Sequence, residues 1–436
     1  VERSALTLSH HTVQIDRIIA GGDGLARQSD GPVVFVPRTA PGELVEVEIV
    51  EEHRQWARGR ALQILEPGDE RREAACPYYD VCGGCQLQHL EYEAQLQAKS
   101  GIISDALKRL GGIDVGEPQV VGSTLQFDYR NRVTFVLKRE DSRVAAGFHA
   151  LEKTDEVVDI ERCPLAEPAI NRVWSALRAA WGPGAGRLPA GDELRLTLRA
   201  TQSGEVGLTI GRGEGDGQPD ELLPDVEGLS AIWRTAESGA VEWYFGQPAL
   251  SDRWGEHDVR VVGNAFLQVN RGVAEKLDSY VREQLQPVAG KRIIDAYCGF
   301  GLRSLELAWQ GARVVGIDTE EEAIAHAAEA ASESGASARF VPASVEDVMA
   351  WELPADLVAL NPPRRGVGKA VVQALLKDRP ARIVYVSCDP ATLARDLKAL
   401  VARFELGAIR AFDMFPQTAH VETVVTLDRV TVGSNV

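Results

Sequence analysis

In the second half of the chain, short apolar runs that stop at Asp, Asn, Gly or Pro alternate with helical segments. "RIIDAYCGFGLRSLELA" reads as a strand, Asp295, a Gly299-x-Gly301 turn and a helix, and "ARVVGIDTEEEAIAHAA" as a second strand ending at Asp318 before another helix. "ADLVALNPPRRG", "RIVYVSCDP", "FELGAIRAFDMFP" and "HVETVVTLDRV" add four more strands. Alternation of this kind predicts a doubly wound α/β domain over residues 266–436. Between 93 and 265 the pattern changes. "YRNRVTFVLKR", "ELRLTLRATQSGEVGLTI" and "SAIWRTAESGAVEWYFG" predict a central α+β domain built on an antiparallel sheet.

The chain's 436 residues exceed what one core can serve, and about three domains are expected. No apolar run approaches the ~20 residues of a membrane span, and "VERSALTLSHHTVQID" lacks an apolar signal region, so a cytoplasmic protein without membrane contact is expected. The first residue is not Met, which points to a processed or truncated start. A net charge of −17 excludes a general nucleic-acid coat, because a polyanion must be met by Lys and Arg. Any RNA contact must then be a local basic patch. "QFDYRNRVTF" concentrates Arg130 and Arg132 around Tyr129, although alone such a stretch is usually a charged strand face.

Six cysteines add candidate chemistry. Cys76, Cys82 and Cys85 stand in "CPYYDVCGGCQ", a C-x5-C-x2-C run, and Cys163 in "IERCPLAEP". Four thiolates from Gly- and Pro-rich loops can hold an iron-sulfur cluster or zinc. The three-plus-one spacing favours a [4Fe-4S] cluster, since zinc more often takes two matched C-x2-C pairs. Such a site bridges distant loops and lies outside the catalytic set proposed below.

The glycine turn with Asp318 marks a cofactor site at the carboxyl edge of the parallel sheet, where an acidic group can accept from ribose hydroxyls. Ser304 occupies the place of the third glycine of G-x-G-x-x-G, and no pyrophosphate cradle follows. S-adenosylmethionine therefore fits better than a nicotinamide dinucleotide. In a methyltransferase sheet the last strand runs antiparallel to the others, which would bring Asn361, Cys388 and Glu422 together beside that cofactor.

With "CPYYDVCGGC" and Cys163, "FLQVN" at 266–270, "DAYCGFG", "NPPRRG", "SCDP" and "HVETV" in this order, the chain resembles the RNA uracil-C5 methyltransferases. It is most similar to the iron-sulfur branch that modifies 23S ribosomal RNA. "IDRIIAGGDGLARQ" through "VFVPRTAPGELVEVEI" resembles a TRAM domain, an OB-type RNA-binding barrel. The resemblance implies a TRAM barrel over 1–68, a cysteine loop over 69–92, an RNA-substrate domain over 93–265 and a Rossmann-like catalytic domain over 266–436. It implies a monomer acting on RNA. Cofactor contacts would fall on Gln268, Tyr297, Asp318 and Asn361, the cluster on the four cysteines, and RNA contacts on Tyr129, Arg130 and Arg132.

The implied chemistry uses Cys388 as a nucleophile toward C6 of uracil and Glu422 as the base that removes the C5 proton. Two departures stand out. Asn361 replaces the family's usual Asp, and Leu302 and Arg303 follow the turn where a polar residue is common. "NPPR" also raises amino-group methylation, in which an aromatic follows N-P-P, but Arg364 offers no aromatic face and Cys388 and Glu422 would have no role. Methylation of a transfer-RNA T-loop and an inactive RNA-binding assembly factor are the remaining alternatives.

Overall fold

The computed structural model describes residues 10–27, 31–140, 143–236, 238–263 and 265–430; the opening nine residues, on which the question of the chain's start bears, lie outside them. Alternating apolar residues at the N-terminus close a five-stranded barrel from His10–Ile18, Gly24–Ala26, Val33–Val36, Leu44–Glu52 and Trp56–Glu66. Val13, Ile15, Val34, Val36, Val45 and Val47 point inward and fill it. The Cys-rich loop follows and runs into the helix Tyr92–Ala106.

The central domain is a seven-stranded sheet whose middle strands are Val206–Gly211, Glu193–Ala200 and Arg132–Glu140. It departs from the expected antiparallel order at one place. The strand Leu229–Thr235 lies parallel to Val206–Gly211, because the helix Pro219–Asp225 carries the chain back before it re-enters the sheet. One face is sealed by the helix Pro168–Ala180, where Trp174 stacks on Phe135 with centroids 3.9 Å apart.

The catalytic sheet has eight strands. Ala338–Pro342, Arg313–Asp318, Arg292–Ala296, Leu357–Leu360 and Arg382–Ser387 are mutually parallel, and their carboxyl ends share one edge. Glu422–Arg429 then inserts antiparallel between Arg382–Ser387 and Phe404–Phe412. The sheet also recruits chain expected in the central domain. Gln119–Val121 pairs with Arg410–Phe412 as its last strand, and Ile103 and Leu107 pack with Leu393, Ala394 and Leu397. The helix Tyr92–Ala106 is apolar on two sides: Ala94 and Ile102 pack with Ile18, Ala40, Leu87 and Leu90, while Ile103 joins the core under the eight-stranded sheet, so residues 92–121 tie the barrel and the cysteine loop to that layer. A hairpin of Leu250–Trp254 and His257–Val261 packs on it too, through Val259 and Val261 against Phe300 and Ala323.

One buried ion pair fastens this layer. Lys99 and Asp413 have no exposed side-chain surface, and the Lys99 ammonium donates to the Asp413 carboxylate and to the Phe415 carbonyl at 3.0 Å. Tyr92 donates to the same carboxylate at 2.9 Å. Burial holds the Lys99 ammonium below its ordinary range, against the opposing pull of Asp413. Lys99→Met strands a buried carboxylate and should cost about 3–5 kcal/mol, read as a lower urea midpoint, whereas Lys99→Met with Asp413→Leu should recover much of that loss.

Candidate active site

Cys388 stands where a fully buried strand meets a helix. Ile383, Val384, Tyr385 and Val386 are sealed in the sheet, and Asp389 caps the helix Pro390–Leu400 by accepting from the Thr392 amide at 2.8 Å. Pro390 occupies the first helical turn, where its missing N–H is no loss. The turn leaves Cys388 half-buried at the carboxyl edge. Ser387 pairs with Thr423 as the last rung of the antiparallel ladder, so Cys388, just past the end of its strand, comes near Glu422, the first residue of its own, and feels its charge.

Burial dominates the electrostatics of this pair. It pushes the Glu422 carboxyl up to about 7, with Arg364 opposing, and Glu422 is only 4% exposed. Burial and then the Glu422 charge push the Cys388 thiol up to about 11, while Arg364 pulls it down. His420 is driven to about 4 by burial and by the cations Arg364, Lys99 and Arg130. Read from the sequence, Arg364 is only the residue that fails to be aromatic; in the structure it is the cation that acts on Cys388, Glu422 and His420 alike. Its backbone is anchored, since its carbonyl accepts from Thr392 Oγ1 at 3.1 Å. Gly366 completes the "NPPRRG" turn at φ +72°, and a Cβ there would lie 2.4 Å from Asp396 Oδ2.

The cofactor candidates gather at the neighbouring strand ends. Asp318 accepts from the amides of Gly299 at 2.8 Å and Glu320 at 3.1 Å, which ties the glycine turn to the second strand. Tyr297 holds φ +62° and donates its hydroxyl to Glu346 at 3.1 Å. Glu346 is a partner that sequence reasoning missed. Asn361 follows the strand Leu357–Leu360, its amide bonded to the Ala296 carbonyl at 3.2 Å. Gln268 sits in an extended segment held to the central domain by Asn131 Nδ2, which donates to its carbonyl at 2.9 Å.

Both departures after the turn face away from the edge. Leu302 packs with Val259, Val261 and Leu267 under the hairpin. Arg303 reaches below the turn to Asp278 at 2.8 Å and to buried Asp295 at 3.2 Å, and Ser304 donates to Asp295 at 2.7 Å. A buried carboxylate explains the Arg. It compensates a charge that the strand end would otherwise leave alone.

The four loop cysteines are free thiols that sense one another. Burial, and then Cys163, Cys82 and Cys76 among the raising influences, push Cys85 up to about 12, and Cys163 is raised to about 11 by burial with Cys76 contributing. Cys76 and Cys82 are raised by burial as well. Each of these shifts is led by burial, which favours the neutral thiol. Among the described residues, no three potential ligands stand in the arrangement that would grip a single metal ion.

The expected RNA contacts divide. Tyr129 is 2% exposed and donates its hydroxyl to the Pro416 carbonyl at 3.1 Å, so it is a strut of the fold and not a surface aromatic. Arg130 lies over the Phe415 ring at 6.0 Å, and Arg132 is half-buried with no ion pair among the described residues.

Residues 10–62 match the TRAM domain family, 293–364 a methyltransferase domain family, and 343–430 the tRNA (Uracil-5-)-methyltransferase family. The chain is 33% identical to an uncharacterized RNA methyltransferase of Thermosynechococcus vestitus, covering 95% of this chain and 97% of that one. It is 30% identical to a 23S rRNA (uracil(1939)-C(5))-methyltransferase of Vibrio parahaemolyticus, covering 98% of each. The crystal structure of Pyrococcus abyssi tRNA (uracil-54, C5)-methyltransferase in complex with S-adenosyl-L-homocysteine superposes with a TM-score of 0.74 at 30% identity, over 96% of this chain and all of that one. On full-length identity and on a shared fold, this chain belongs to the RNA uracil-C5 methyltransferase family.

Proposed function

We propose that the chain methylates C5 of a uracil in 23S ribosomal RNA, with S-adenosylmethionine as donor, Cys388 as nucleophile and Glu422 as base. The observation that carries this reading is the opposition of a half-buried thiol and a buried carboxyl across one ladder, beside a glycine turn. Uracil C5 is a poor nucleophile. Addition of the Cys388 thiolate to C6 pushes the ring electrons toward O4, and the resulting enolate carbon C5 becomes reactive. The bound donor supplies an electrophilic methyl group at that carbon. Glu422 then takes the C5 proton, the C5–H electrons form the C5–C6 double bond, and the C6–S bond breaks to restore the Cys388 thiolate. Arg364 favours the charged forms of both groups, which burial otherwise suppresses.

The Vibrio relative, matched over nearly its whole length, supports ribosomal RNA as substrate. The Pyrococcus structure supports transfer RNA as the second reading. Incubating the protein with unmodified transcripts of each and labelled donor separates the two: label in the 23S transcript alone upholds the first, and label in transfer RNA alone overturns it. A cytoplasmic monomer is part of this reading, and one species of about 47 kDa in light scattering is expected from its 47.3 kDa mass. Cys76, Cys82, Cys85 and Cys163 would hold a [4Fe-4S] cluster. Anaerobically purified protein should then be brown with about four irons per chain, and stoichiometric zinc would overturn it.

Asp318→Ala should weaken donor binding at least about tenfold in calorimetry, by removing the ribose acceptor and releasing the Gly299 amide. Cys388→Ala should abolish methylation with little change in melting temperature. Glu422→Gln should still add and methylate but not eliminate, leaving labelled RNA on Cys388 in denaturing gels. Because the folded pKa of Glu422 is raised to about 7, the elimination step should gain rate as pH rises through 7. The same shift makes the ionised carboxylate a burden on the fold, present above its ordinary range. Glu422→Gln should therefore raise stability by about 1–3 kcal/mol at neutral pH and by little near pH 4.

A further inference from the structure

The segment Asp413–Val421 carries the chain from the strand Phe404–Phe412 into Glu422, and at its centre Gln417 is fully buried with φ +71°. A glutamine in the left-handed region is strained and persists only where its surroundings impose that conformation. Here they do. Its amide donates to Gln95 Oε1 at 3.0 Å, and its side-chain oxygen accepts from Gln95 Nε2 and from Arg72 Nη2, each at 3.0 Å. Its carbonyl accepts from two successive backbone amides, Gln86 at 3.1 Å and Leu87 at 3.0 Å. Those amides directly follow Cys85.

The restraint continues toward the base. Ala419 donates its amide to Gln86 Oε1 at 3.4 Å, and His420 donates its amide to Thr418 Oγ1 at 3.3 Å. Val421 is 1% exposed in the core under the strand. From Gln417 to Glu422 the backbone thus has little freedom left. Its position is set by the cysteine loop and by the helix Tyr92–Ala106, neither of which contributes a group to the reaction.

We propose that Gln417 is a positioning residue for the base: clamped by Gln95, Arg72 and the loop after Cys85, it fixes where the Glu422 carboxylate stands against C5 of the covalent adduct. This deepens the proposed function and rests on Glu422 acting as the base. Proton removal is sensitive to such placement, because the carboxylate must come within hydrogen-bond reach of one C–H while the sulfur leaves C6. Addition of Cys388 and methyl transfer do not use Glu422. A shift of the Gln417 segment should therefore slow elimination selectively, and the cysteine loop is coupled to catalysis at that one step.

The test uses full-length protein, an unmodified 23S transcript and methyl-labelled S-adenosylmethionine. Gln417→Gly accepts the positive φ and removes only the side-chain clamp. Gln95→Ala removes the same amide pair from the helix side, so misfolding of one variant leaves the other informative. Both should lower turnover at least about tenfold. Both should also accumulate a labelled protein–RNA band in denaturing gels, as Glu422→Gln does, with S-adenosylhomocysteine affinity unchanged. Full turnover without a band overturns the proposal. So does joint loss of the band and of S-adenosylhomocysteine binding, the signature of a merely structural clamp. If Glu422→Gln itself gives no band while the Gln417 variants turn over normally, the base reading fails, and the positioning role with it.

Discussion

The insertion of one antiparallel strand is the constraint on which the site depends. Five parallel strands present only carboxyl ends at the reactive edge, and a residue that begins a strand cannot reach it in a parallel arrangement. Reversing Glu422–Arg429 beside Arg382–Ser387 places a strand start against a strand end. A thiol and a carboxylate 34 residues apart in sequence then meet at the end of one ladder, Glu422 as the first residue of its strand and Cys388 in the turn just past Ser387. The rigidity of the sheet passes directly to the two groups.

Placement in a buried edge has an electrostatic consequence. Desolvation there disfavours the charged forms of both groups, and a thiolate and a carboxylate side by side repel each other. One cation relieves both. Arg364 sits on a turn locked by Gly366 and by Thr392, so its position is tied to the helix that begins after Cys388. Burial still leaves the Cys388 thiol well above neutral pH and the Glu422 carboxyl near it, so Arg364 lowers the cost of charging both groups without removing it.

Local chemistry was legible in the sequence and long-range chemistry was not. Asp318, the Gly299–Gly301 turn and the strand ends at Asn361 and Cys388 follow from short apolar runs broken by polar residues, and the structure shows each at the predicted edge. Leu302 and Arg303 looked like changes in the cofactor pocket because the sequence does not reveal what lies beneath a turn. Their partners are a hairpin some 40 residues upstream and the buried Asp295. Tyr129 was misread for the same reason: an aromatic followed by two arginines reads as an RNA contact until its hydroxyl is found on a carbonyl 287 residues away. Gln417 carried no signal, since its strain and its partners exist only in three dimensions.

An acidic protein that handles RNA must concentrate its available cations where the phosphate chain runs. Many arginines here are committed to carboxylates: Arg71 to Glu43, Arg271 to Asp252, Arg303 to Asp278 and Asp295, Arg382 to Asp428. Arg130, Arg132 and Arg364 form no ion pair among the described residues, and all three border the catalytic edge. Arg130 lies over Phe415, Arg132 adjoins the Asn131 that holds Gln268, and Arg364 acts on Cys388. An unpaired cation such as Arg364 beside the site is available to meet a polyanion's charge locally. With a net charge of −17 over the whole chain, any contact to a polyanion has to be made through such local cations.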